Sequence, residues 1–161
     1  MQSWANYLRR NKSIVVDLFQ GQLRNTLRCC TCGHTSVKFD PFMYLSLPVP
    51  KGEGKRISVQ SCLAKFQEEE RLTGDNMWYC SKCKEHREAT KRIVLWKAPP
   101  LMIIHLKRFS FDMYGRCARK RKCTVRFPAE NLDLAETLGS KQSVAPLYNL
   151  FAVSNHFGGF G

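Results

Sequence analysis

Cys29-Cys30-Thr31-Cys32 and Cys80-Ser81-Lys82-Cys83 are two C-x-x-C knuckles in one chain. At that spacing two thiolates meet at a tight turn and can bind one tetrahedral metal ion. Two such pairs supply the four sulfurs of a closed structural zinc site. About 47 residues (33–79) lie between the knuckles, well beyond the ~15–20 of a minimal zinc ribbon. A folded excursion must leave the first knuckle and return to the second. The pattern therefore predicts one Zn²⁺ stapling a β module inside a larger domain.

Bulk properties narrow the classes. The chain has 161 residues, 43% of them hydrophobic, and one domain of that size buries roughly 68–70% of its unfolded surface. No apolar run reaches the ~18 residues of a membrane span; the longest, Leu101 to Leu106, is interrupted by His105. The first residues lack the basic, apolar and small-residue order of a secretory signal. Eight cysteines would suit a secreted disulfide framework. Two C-x-x-C pairs without an export signal favour reduced thiols and metal instead, hence the cytoplasm or nucleus. The Asn11-Lys12-Ser13 glycosylation sequon is then coincidental. Net charge is +13, or about +11 once four thiolates hold a dication. Such a surface attracts acidic partners without choosing among them.

Along the chain, Gln2 to Asn11 reads as a helix with Trp4, Tyr7 and Leu8 on one face. Ser13 can cap a second helix, Ile14 to Phe19, which Gly21 should end. Gln22 to Arg28 is a strand leading to the first knuckle, and Thr35 to Phe39 one leading away, broken at Asp40-Pro41. Phe42 to Pro50 alternates until its prolines stop it. Val59, Cys62, Leu63, Phe66 and Leu72 fall at helical spacing, so Ser58 to Leu72 is expected as an amphipathic helix with Glu68, Glu69 and Glu70 solvated. Glu88 to Trp96 is a strand. Leu101 to Leu106 has the two-sided apolarity of a buried strand at a sheet centre. Phe109 to Met113 runs to a turn at Tyr114-Gly115, and Tyr148 to Ser154 is a last strand that ends in a glycine-rich segment. Both ends of the chain are expected to be cuts.

These stretches resemble the ubiquitin-specific proteases, papain-like cysteine deubiquitinases. The resemblance rests on Ile14 to Gln22, Cys29 with Cys32, Phe39-Asp40-Pro41-Phe42, Leu45-Ser46-Leu47-Pro48 and Tyr79-Cys80 with Cys83. It continues through Pro99-Pro100 to His105-Leu106-Lys107-Arg108-Phe109, Phe127-Pro128, and Tyr148-Asn149-Leu150 to Gly159, all in the family's order. It implies an α+β fold: an antiparallel sheet shared by a palm and fingers, a zinc-ribbon-like finger tip and a few peripheral helices, as a truncated papain-like catalytic domain. Residues 1–21 would end the thumb, 22–98 form the fingers and 99–161 part of the palm. The partners implied are ubiquitin and ubiquitinated proteins, gripped by the fingers, with the ubiquitin tail running between thumb and palm. Phe109, His156, Phe157, Gly158 and Gly159 would border that tail channel, with the Asp112–Lys122 loop beside it. The family's nucleophilic cysteine box would precede Met1, and its histidine base, in a Gly-His-Tyr motif, would follow Gly161. The chain is thus expected to be inactive alone, with no catalytic residue of its own, because this chemistry needs thiolate, base and oxyanion donor together.

Plainer readings stand beside these. Cys30 is out of register and is expected to be a bystander; His34 and His86 could substitute a ligand, but four thiolates already fill the shell. Cys117 and Cys123 flank Arg119 to Lys122, and cations lower a thiol's pKa, yet no histidine is near them in sequence. That basic run is expected to be a solvated loop beside an anionic partner rather than a nucleic-acid patch. His105 is expected to be a satisfied core histidine, and His156 not to be the base. Trp4, Trp78 and Trp96 are expected in the core. Two alternatives remain in view: a non-catalytic, zinc-dependent ubiquitin-binding module, and, disfavoured, a basic zinc-ribbon binder of nucleic acid.

Overall fold

Local sequence sets the first two helices. The structure, a computed structural model, describes residues 2–50, 56–111, 117–141 and 146–158. α1 (Gln2–Asn11) and α2 (Ile14–Phe19) keep the expected bounds. Ser13 caps α2: its Oγ accepts from the Val16 N–H at 3.2 Å, satisfying a donor that a helix start leaves orphaned. The Tyr7 hydroxyl donates to Oε1 of buried Gln20 at 2.9 Å, tying α1 to the cap of α2. Gly21 does not end the helix; Gln20 does, in extended backbone, and Gly21 opens β1 (Gly21–Cys29). Glycine is required there for space. A Cβ would lie 2.5 Å from the Phe42 ring and 2.6 Å from the Lys97 carbonyl oxygen.

β2 (Thr35–Phe42), β3 (Leu45–Pro48), β4 (Ile57–Ser58), α3 (Val59–Phe66) and β5 (Glu70–Leu72) follow. Then come β6 (Trp78–Cys80), β7 (Glu85–Arg87) and β8 (Ala89–Lys97). A four-stranded antiparallel sheet in the order β2-β1-β8-β5 is the backbone of the fold. The second half adds β9 (Ile104–Lys107), β10 (Phe109–Phe111), β11 (Cys117–Lys120), β12 (Val125–Arg126), β13 (Leu132–Asp133) and β14 (Leu147–Tyr148). β9 and β12 return from the far side of the chain to pair in parallel with β3 and β4. Leu45, Leu47, Val49, Ile57, Val59, Cys62, Leu63, Leu95, Val125 and Leu134 form the buried core where these pairs, α3 and the end of β8 converge. The α+β class, with an antiparallel sheet and few helices, holds.

Several expectations change, each for a tertiary reason. Asp40-Pro41 does not break β2, which runs to Phe42 with Pro41 opposite Gln22; β2 is a sheet edge, where a missing N–H costs no ladder bond. The helix stops at Phe66, and Glu70 to Leu72 is drawn out as β5 along β8. Glu70 is therefore a strand residue rather than a helix residue, still exposed as expected: it accepts from Lys91 Nζ at 2.9 Å, and neighbouring Arg71 donates to Glu88 at 2.7 Å. A capping box between Ser58 and Ser61 starts α3.

Leu101 to Leu106 is not the centre of a sheet. Only Ile104–Lys107 pairs, and in a two-stranded sheet, with Ile103 exposed. His105 consequently faces out, not into the core, its Nδ1 at 2.9 Å from Ser46 Oγ. The last strand shrinks to β14, paired with β13; Phe151 and Val153 beyond it are exposed. Trp4, Trp78 and Trp96 are half-buried rather than core. Trp96 carries the Arg24 guanidinium over its ring at 4.5 Å, and Trp4 the Lys97 ammonium at 4.4 Å. The expected turn at Tyr114-Gly115 lies outside the described residues.

Gly21→Ala tests the close approach at the start of β1. The Phe42 ring can shift but the Lys97 carbonyl cannot, so the substitution should cost about 1–3 kcal/mol as overpacking, seen as a lower urea midpoint with an unchanged slope. A variant as stable as the parent contradicts the packing described.

Candidate metal centre and the segment facing Phe109

Both knuckles are built by the ladders that carry them. β1 delivers Cys29 opposite Ala89 of β8, and the Cys30 N–H donates to the Glu88 carbonyl at 2.9 Å. The chain then turns so that the Gly33 N–H reaches the Cys29 carbonyl at 3.1 Å, and the Cys29 N–H donates to the His34 carbonyl at 2.9 Å. The second knuckle repeats the turn at the end of the β6–β7 hairpin, where the Lys84 N–H reaches the Cys80 carbonyl at 2.8 Å. In both, the residue after the second cysteine is left-handed: Gly33 at φ 69° and Lys84 at φ 61°. Glycine adopts this freely, whereas a lysine there costs roughly 1–2 kcal/mol. Something must hold the second knuckle in this shape, and the converging sulfurs can.

The structure brings Cys29, Cys32, Cys80 and Cys83 together, their four Sγ atoms all within 4.8 Å of one another. Cys32 and Cys80, from different knuckles, are 3.6 Å apart at sulfur. A tetrahedral ion with metal–sulfur bonds of about 2.3 Å spaces its ligands about 3.8 Å apart, whereas a disulfide needs about 2.05 Å. The four cysteines are free thiols, Cys29 and Cys80 buried and the other two half-buried. This donor set and spacing fit one metal ion. The thiols also strain against one another. The Cys32 backbone N–H, aided by that of Thr31 and by neighbouring thiols, holds the Cys29 thiol down to about 6. The hydrogen bond with Cys32, then burial and the other thiols, pushes Cys83 up to about 12. Four sulfurs this close do not all ionise without a cation among them.

The neighbouring groups take other roles. His34 is not a ligand: its Nε2 lies 3.1 Å from Ser81 Oγ and its ring stacks on Trp78 at 6.2 Å, so it joins the two knuckles from outside. His86 has Nδ1 at 3.3 Å from the Met77 carbonyl and its ring edge on Tyr79. Cys30 is exposed and outside the cluster. Cys62 is sealed in the core, where burial pushes its thiol up, and half-buried Cys123 packs on the same core. The Cys117 side chain lies outside what is described.

At the other end, Phe109, His156, Phe157 and Gly158 fall into two groups. The His156 ring meets Phe109 edge-on at 5.3 Å, and the Lys120 ammonium lies 5.8 Å from the Phe109 ring. Lys120 also donates to the carbonyls of His156 (3.2 Å) and Gly158 (2.8 Å) and approaches His156 Nδ1 at 3.1 Å. Phe157 projects away, 88% exposed, and Gly159 lies outside the described residues. Sequence reasoning missed Lys120. It also missed Arg108 and Arg121, whose guanidiniums donate to the carbonyls of Cys123 (2.6 Å) and Val49. The only signal available was the placement of cations on a hairpin returning toward Phe109; the basic run itself looks like a solvated loop.

The family model described as ubiquitin carboxyl-terminal hydrolase matches residues 1–161. This chain belongs to that family. It is 42% identical over 157 residues to chicken (Gallus gallus) ubiquitin carboxyl-terminal hydrolase 2, covering 98% of this chain and 43% of that protein. It is 36% identical to mouse (Mus musculus) ubiquitin carboxyl-terminal hydrolase 21, covering 96% of this chain and 27% of the relative. The chain thus spans less than half the length of these curated relatives. Among solved structures it resembles a chain of the SAGA Ubp8/Sgf11/Sus1/Sgf73 DUB module bound to ubiquitin aldehyde. The TM-score is 0.65 at 26% identity, over 89% of this chain and 31% of that one. The resemblance to ubiquitin-specific proteases is therefore borne out at the level of the family.

Two outcomes test the cluster. Cys80→Ser should abolish stoichiometric metal binding in native mass spectrometry and release the β6–β7 hairpin; a variant that keeps one tightly held ion contradicts a shared site. Affinity should also fall with pH in a defined way. Above pH 6 the ion must displace at least the Cys83 proton, and below about 6 Cys29 is protonated too, adding another. Zn²⁺ titrations at pH 7.5 and 5.5 should show weaker binding and more protons released at the lower value; equal affinity at both contradicts this.

Proposed function

We propose that this chain is the zinc-stapled, ubiquitin-gripping part of a cysteine-type deubiquitinase, an enzyme hydrolysing peptide and isopeptide bonds at the C-terminal glycine of ubiquitin. The observation that carries the reading is the four-sulfur cluster, assembled from two knuckles of a chain that the family model matches over residues 1–161. Zinc suits an all-thiolate tetrahedral shell, and when bound it supplies structure rather than reaction chemistry. Cys29, Cys32, Cys80 and Cys83 would hold it. Within the proposal residues 1–21 end the thumb, 22–98 form the fingers and 99–161 part of the palm, in the cytoplasm or nucleus. Ubiquitin and ubiquitinated proteins are the partners; support comes from the similar solved DUB module, which is bound to ubiquitin aldehyde.

The residues of this chain are proposed to bind, not cut. The two palm histidines are engaged elsewhere, His105 by Ser46 and His156 by Lys120. A nucleic-acid role is weakened because Arg108, Lys120 and Arg121 direct their donors to backbone carbonyls of this chain. Among the described residues no helix is long and apolar enough to cross a membrane.

Titration of ubiquitin and of a short DNA duplex into the zinc-loaded chain at 50 and 200 mM salt separates the readings. Ubiquitin should bind saturably with a shallow salt dependence, and a fluorogenic ubiquitin C-terminal substrate should not be turned over. DNA binding that is tight and falls ~10³-fold or more over that range, without ubiquitin binding, would replace the proposal with a nucleic-acid role.

A further inference from the structure

Lys120 stands on β11 directly opposite Phe109 of β10. A lysine has three N–H donors, and here the ammonium has three partners on one short stretch: the His156 carbonyl, His156 Nδ1 and the Gly158 carbonyl. That stretch has little else to hold it. The Leu150 N–H donates to the Ala129 carbonyl at 2.8 Å, and beyond it no backbone hydrogen bond ties residues 151–158 to the fold among the described residues. The base of the hairpin, by contrast, is fixed. The Arg121 N–H donates to the Arg108 carbonyl at 2.7 Å, Arg108 Nη1 donates to the Cys123 carbonyl at 2.6 Å, and Arg121 reaches back to the carbonyl of core residue Val49. Among the described residues no ion pair includes Lys120. The bonded base of the hairpin therefore presents the Lys120 ammonium to a segment with no other backbone anchor beyond Leu150 among the described residues, and the His156 ring completes the contact on Phe109.

We propose that Lys120 is a positioning residue: it fixes residues 156–158 against Phe109 and so sets one wall of the slot that receives the ubiquitin tail. The inference rests on the deubiquitinase reading for the identity of the tail, and on the geometry above for the clamp. Lys120 touches no reacting atom; it acts through the backbone of His156 and Gly158. Phe157, between those two anchors, is itself exposed.

The test uses the zinc-loaded chain with Lys120→Met, which keeps the apolar stem beside Phe109 and removes all three donors, and Lys120→Arg, which restores a cation. The first readout is hydrogen exchange of amides 151–158, and the second is affinity for intact ubiquitin against ubiquitin lacking its C-terminal tail. Lys120→Met should leave Tm unchanged and speed exchange in that segment alone. It should also shrink the parent's preference for tailed ubiquitin from about tenfold to about twofold or less, with Lys120→Arg recovering part of it. Unchanged exchange and an undiminished preference would overturn the inference while leaving the parent's ubiquitin binding intact. A parent with no preference for the tail would overturn the tail-slot reading, and the exchange data would then decide the clamp alone. If Lys120→Met lowers Tm broadly, Lys120 is a stability residue and the positioning role falls.

Discussion

Four sulfur atoms from two hairpins must meet within a sphere small enough for one ion, and the rest of the molecule is arranged to let them. β1 and β8 are the middle strands of the sheet and pair from Gln22 and Lys97 at one end to Cys29 and Ala89 at the other. One end of that ladder is fastened to the hydrophobic core through Leu95 and Leu23. The other carries the first knuckle, and the β6–β7 hairpin must be swung over to meet it. Leu72 of β5 sits opposite Ala89, so the chain enters the second hairpin already aligned with the end of the sheet. Structural metal in small modules contributes on the order of 10–16 kcal/mol of binding free energy coupled to folding. Beside that, the ~1–2 kcal/mol of a left-handed lysine at position 84 is a small opposing term.

Much of this was legible in the residues. The spacing of the cysteines defined the cluster, because C-x-x-C at a turn leaves few ways to place two thiolates. Ser13 and the short apolar run after it defined α2, since a capping hydroxyl acts locally. Where the sequence misled, long-range pairing outweighed local preference. Glu70 to Leu72 continued a helical spacing, yet β8 offered an edge and a lysine and the strand won. The run Leu101 to Leu106, apolar but for His105, looked central because two-sided apolarity is ambiguous about what covers it. In the fold only its end, from Ile104, forms a ladder, with β3. Pro41 looked like a terminator because nothing local reveals that a strand is an edge.

The cations are a second case in which composition alone was ambiguous. A net charge of +13 suggests a surface waiting for an anion. Around the β10–β11 hairpin three of the positive groups instead hold backbone carbonyls of their own chain, so the charge helps shape a loop before it meets any partner. Arg24 and Lys97 do likewise with the faces of Trp96 and Trp4. The cluster at one end and the lysine-held segment at the other are thus two solutions to the same problem, fixing chain that the hydrophobic core does not reach.

The account turns on a single shared ion, and zinc-edge X-ray absorption on the purified chain addresses it most directly. It should find one zinc per chain with four sulfur neighbours at about 2.3 Å. Nitrogen or oxygen in the first coordination sphere, or fewer than four sulfurs per zinc, would mean that the two knuckles do not share a site.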